Sequence, residues 1–114
     1  MQHYRIKRQM YGYEIHACIT KMPKDIHILL TGGSLSHIGA ISIFEEGLER
    51  TFVQLPDHKD GVVSQKWAKE LSQLFKTKVT VNCGIHYDHL TKDKIQELVK
   101  LTEEMLEEAI EILE

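Results

Sequence analysis

From His3 to Leu55 short apolar stretches, alternating in one and two-sided in others, are separated by turn residues, so the first half of this chain reads as sheet. In "YGYEIHACITKM", Tyr13, Ile15, Ala17 and Ile19 share one side of an extended chain, with Glu14, His16, Cys18 and Thr20 on the other. That alternation describes a strand with one buried face. His3 to Gln9 reads as a strand before it, and Pro23 with the Lys-Asp that follows marks a turn after it. Ile26 to Thr31 and His37 to Phe44 are apolar on both phases, the pattern of central strands covered on both faces. Arg50 to Leu55 is a fifth strand, ended by Pro56.

The period then changes. Asp60 stands where a helix cap belongs, and Val63, Trp67, Leu71 and Leu74 follow at spacings of four and three, with Phe75 widening the stripe. "KVTVNCGI" returns to alternation, with Val79, Val81, Cys83 and Ile85 inward. Thr91 caps a last helix, whose apolar face runs from Ile95 through Met105 to Leu113.

The expected fold is α+β over one domain, residues 1–114: a mainly antiparallel sheet, a five-stranded meander first, then a helix, a strand and a long C-terminal helix. A helix between strands five and six allows a parallel crossover. Two helices cover one face of such a sheet. A second copy of the chain is the simplest cover for the other, so a homodimer is expected.

Charge narrows the partners. The net charge is −3 across 114 residues, which argues against a general nucleic-acid or anionic-membrane binder. Residues 91–114 carry three lysines and eight carboxylates, and the body before them is mildly basic. Glu107, Glu108, Glu111 and Glu114 sit where the helix dipole prefers cations, so this end either frays, stays solvated or meets a basic partner. Cys18 and Cys83 lack metal or redox spacing. "MQHYRIKRQM" has no apolar signal core, and no run suits a membrane span, so a cytoplasmic location is expected.

Three clusters could carry function. "HILLTGGSLSHIGAISIF", His27 to Phe44, is either a plain hairpin or a glycine-bearing turn that cradles an anion. A strand rather than a helix follows its glycines, which argues against a nucleotide-binding P-loop. "LPDHKDG", Leu55 to Gly61, leads into a helix N-terminus and carries His58 and Lys59. "CGIHYDHL", Cys83 to Leu90, offers His86 and Asp88, which can orient one another. His37, His58 and His86 would supply three zinc ligands if they converged. Cys83 lies on the apolar phase, as an inert buried thiol does.

Taken together, "LLTGG" and "HIGAISI", then "LPDHKD", then "GIHYDHLT" resemble the LpdD-like family, named for the accessory D subunit of bacterial gallate decarboxylase. The resemblance runs from about Ile28 into the last helix and departs from the family pattern at Asp57, where glycine is expected. It implies a fold akin to proteasome assembly chaperones, paired as a dimer, and a non-catalytic role handling prenylated flavin mononucleotide (prenylated FMN), or FMN itself, for a UbiD-like hydroxyarylic acid decarboxylase. The cofactor-binding positions it implies are Thr31, Gly32, Gly33, His37, His58, Lys59, His86 and Asp88, with no catalytic residue and no metal. Two other readings stand beside it: an assembly chaperone that binds no small molecule, and a small metalloenzyme built on the three histidines.

Overall fold

The structure, a computed structural model, describes residues 1–56 and 60–114. Its elements are β1 (Gln2–Met10), β2 (Tyr13–Lys21), β3 (Asp25–Gly33), β4 (Ala40–Glu45), β5 (Leu48–Gln54), α1 (Gly61–Leu74), β6 (Lys78–His86) and α2 (Lys92–Leu113). Strands come first, then helix, strand and long helix, in a mostly antiparallel α+β arrangement as the pattern predicts.

The order across the sheet is β1-β2-β3-β6-β4-β5. The continuous meander is thereby corrected. β6 enters between β3 and β4, parallel to β3 and antiparallel to β4, and splits the five strands into a three-strand and a two-strand group. The reason lies in the burial pattern. Val79, Val81 and Cys83 are each fully buried, and a central position lets β6 pair on both sides while it buries them. The GGS stretch is therefore not a hairpin turn; residues 34–39 carry the chain past the end of β6.

One face of the sheet is packed. Ile6, Ile15, Ala17, Ile19, Ile28, Leu30, Val79 and Val81 form a core with Trp67 and Leu71 of α1 and Met105, Leu106 and Ala109 of α2. Trp67 and Leu71 of the stripe read from sequence are buried and Val63 and Phe75 pack partly buried against the core, but Leu74 is 52 % exposed and lies off the buried face of α1. α1 lies over β4, β5 and β6, while α2 packs beside β1. Ser42 and Ser64 are buried between β4 and α1, and their hydroxyls satisfy each other at 2.8 Å. The opposite face, with Cys18, His27, Leu29, Ile41 and Ile43, carries no helix and is half-buried. No helix among the described residues is long and apolar enough to cross a membrane.

α2 runs to Leu113, which is 3 % exposed, with Ala109 fully buried. The helix is thus packed against the core down to its last turn.

Candidate functional site

The parallel pairing of β3 and β6 brings their carboxyl ends together, with Gly33 opposite His86. In open sheets with parallel strands, ligands bind outside such ends. α1 begins at the same end, because β5 leads into it, and so does α2, because β6 leads into it.

Glycines let three backbone segments meet here. A side chain on Gly84 would put its Cβ 1.7 Å from the His37 carbonyl oxygen, so the loop after β3 lies directly on β6. Gly33 has φ +82°, and a Cβ there would stand 1.9 Å from the His86 carbonyl oxygen. That carbonyl accepts from the Ser34 N–H at 2.8 Å and from the Ser34 hydroxyl at 3.3 Å. Gly32 lies within β3, and its missing side chain makes room for Glu14 and Ile15 of β2. These glycines are thus required first by the fold. Thr31 sits on the uncovered face of β3, between His16 and Gly84.

His37 is expected in a strand but lies in the loop before β4, because pairing with β6 begins only when the Gly39 N–H donates to the Cys83 carbonyl at 2.9 Å. Its ring turns toward α1. Nδ1 is 3.1 Å from the Leu35 carbonyl, and Nε2 is 3.3 Å from Asp60 Oδ2. The carbonyl can only accept, so Nδ1 carries a proton.

Asp60 holds the arrangement together. It occupies the N-cap position of α1, yet its carboxylate makes no capping hydrogen bond. Oδ1 instead accepts the Ile85 N–H of β6 at 3.0 Å. The first helical N–H, from Gly61, goes to the Gln54 side chain at 3.1 Å. The Cys83 thiol lies 4.0 Å from Asp60 Oδ1; burial, with the Asp60 carboxylate second, pushes its pKa far up, so it stays protonated and inert. Asp60 is the residue that sequence reasoning assigned to capping alone. Its signal was a carboxylate between a strand and a helix, in a stretch otherwise rich in basic groups.

His86 and Asp88 form a second pair, Nε2 to Oδ1 at 3.0 Å, and this one is exposed. The His37 and His86 rings meet edge to face with centroids 6.4 Å apart. The first and third sequence clusters therefore converge, and Asp60 brings the described end of the second cluster to them. His58 and Lys59 lie outside the described residues. Among the described residues no three His, Cys, Asp or Glu side chains gather as a metal cage, and His37 and His86 each face their own carboxylate.

The strand end thus carries two imidazoles, each beside a carboxylate, next to a buried thiol. The fold is shared with a chain in the crystal structure of a chaperone complex for yeast 20S proteasome assembly, at a TM-score of 0.54 and 15% identity over 99% of this chain and 96% of that one. The family model of the prenylated flavin chaperone LpdD-like domain matches residues 9–114, and the chain belongs to that family. It is 27% identical to Protein LpdD of Lactiplantibacillus plantarum (strain ATCC BAA-793 / NCIMB 8826 / WCFS1) over 108 residues, 90% of this chain and 79% of that protein.

Proposed function

We propose that this protein is a non-catalytic accessory chaperone that carries prenylated FMN, or FMN, for a UbiD-like hydroxyarylic acid decarboxylase in the cytoplasm. The observation that supports this most directly is the meeting of His37, Asp60 and His86 at the carboxyl ends of β3 and β6. Imidazole N–H groups fit such a ligand, which carries a phosphate and a ring edge rich in acceptors. His86 supplies a donor through its second ring nitrogen, Asp88 orients it, His37 and Asp60 brace the loop beside it, Thr31 offers a hydroxyl, and His58 and Lys59 are the basic side chains in the sequence just before α1. Gly32 and Gly33 belong to this reading as the close-packed strand end beside which these side chains stand.

A titration of the purified protein with FMN and with prenylated FMN, followed by flavin fluorescence, tests the reading. Saturable binding is expected for at least one, weakened about tenfold by His86→Ala. Absence of a saturable signal with either overturns it.

We infer further that the uncovered sheet face packs on a second copy, since Leu29, Ile41 and Ile43 lie half-buried there with no helix over them. Light scattering on the eluting protein should give twice the chain mass, and a monomer at high concentration removes this part. The fold likeness to a proteasome-assembly chaperone supports one alternative, a protein-assembly factor that binds no small molecule. Failure of both flavin titrations would favour it.

A further inference from the structure

The sheet face without helices has a polar end. Ile6, Ile15 and Leu30 are buried in the core, so Lys7, His16 and Thr31, the next residue along each strand, project from the opposite face. The three are direct cross-strand partners, Lys7 opposite His16 and His16 opposite Thr31. Side chains so placed have Cβ atoms about 5 Å apart. Thr31 pairs in turn with Gly84, two residues before His86. One row of polar side chains therefore runs from the histidine site across β3 and β2 to the edge strand β1.

The row is short of partners. The His16 side chain is 25 % exposed, yet its Nδ1 is buried with no hydrogen-bond partner among the described residues. A buried polar atom left unmet costs stability. Nε2 of the same ring lies 3.5 Å from Glu14 Oε1, an imidazole beside a carboxylate as at His86 and Asp88. Among the described residues no carboxylate pairs with Lys7, or with Arg5 two residues earlier on the same face. Lys7 and Glu14, the long chains beside His16, are exposed and free to turn aside and admit a ligand atom.

We propose that Lys7, His16 and Thr31 form an anion subsite that takes a phosphate monoester. An ammonium, a hydroxyl and an imidazole N–H are donors that phosphate oxygens accept from. Lys7 and Arg5 set the sign of the ligand, since two unanswered cations repel a metal ion and attract an anion. The natural ligand rests on the flavin reading, in which the cofactor ends in such a phosphate. With the flavin ring beside His86 on β6, His16 on β2 stands two strands away. Two strand spacings make about 10 Å, a span that ring, ribityl chain and phosphate together cover. Leu29, Ile41 and Ile43, inferred to meet the second copy, lie on β3 and β4, whereas this row runs toward β1. The two uses fall on different parts of the face.

The probes are inorganic phosphate, FMN, and riboflavin, which lacks the phosphate. The His16 ring resonances, identified by their loss in His16→Gln, are expected to shift saturably with phosphate and with FMN. Sodium chloride at equal ionic strength is the control, and an equal shift with it overturns the subsite as mere screening. FMN should bind about tenfold tighter than riboflavin, and Lys7→Gln or His16→Gln should erase that margin. Circular dichroism checks that both variants fold. No margin in the unsubstituted protein, or an undiminished margin in both variants, overturns the subsite and leaves the flavin reading standing. If neither flavin binds, that reading falls. A saturable phosphate shift at His16 then keeps the subsite, and its absence overturns both.

Discussion

Thr91 and Asp60 occupy the same position at the start of their helices, and their side-chain oxygens point differently. Thr91 serves its own helix: its hydroxyl accepts the Lys94 N–H at 3.3 Å, with extended backbone at φ −80° and ψ 167°. Asp60 has helical backbone, φ −79° and ψ −6°, and turns its carboxylate away to Ile85 and His37. α1 begins instead on a glutamine from β5. The difference teaches that a good capping residue need not cap. Where a helix start meets two other segments, the carboxylate goes to the partner that burial and charge favour.

The largest effect should come from the contact that puts His37 in reach of Asp60. Gly84→Ala drives a Cβ into the His37 main chain and should cost about 3 kcal/mol in chemical denaturation. Gly12→Ala, with no atom within 4 Å of its added Cβ but φ +81°, should cost about 1 kcal/mol. Equal losses would mean that the loop does not rest on β6.

Next comes Asp60→Ala, which removes a charged acceptor from the Ile85 N–H and leaves His37 without its carboxylate. A loss of about 2 kcal/mol is expected, since hydrogen bonds to charged groups are worth more than neutral ones. Thr91→Ala should cost about 1 kcal/mol, the ordinary value of a cap. If the two substitutions cost the same, the distinction between a cap and a clasp disappears.

The smallest effect is a pH slope. Burial, then the Asp60 carboxylate, raises the Cys83 pKa above its ordinary value of 9.0. A raised pKa in the folded chain means that the unfolded chain gives up the proton first. The contribution to stability is therefore whole below about pH 9 and falls as pH rises beyond it. Urea midpoints from about pH 8 to about pH 10.5 should decline, and Asp60→Asn should make the decline shallower. A slope indifferent to Asp60 would separate the thiol from the carboxylate.

Much of this was legible in residue order, and particular residues show where legibility stopped. Alternation marked β1, β2 and β6, and the spacing of Trp67 and Leu71 marked the buried face of α1, because both are local consequences of which side chains leave water. The partner of a strand is not local. The connections of two and three residues from β1 to β3 do give hairpin pairing, but the six-residue path from Gly33 to Ala40 steps over β6, whose Val81 and Cys83 are buried between the two groups. Thr91 could be read as a cap because its partner lies three residues on. Asp60 could not be read as a clasp, because its partners lie 23 and 25 residues away.

The insertion of β6 has a consequence for how the molecule comes into being. Among the described residues the β1–β3 group and the β4–β5 pair share no ladder, and in the sheet both pair with residues 78–86. As the chain leaves the ribosome, two half-built ribbons must wait, edges bare, until that late keystone arrives between them. Closing such distant segments is slow compared with forming hairpins. Any assistance given to the newborn protein would count most in that interval.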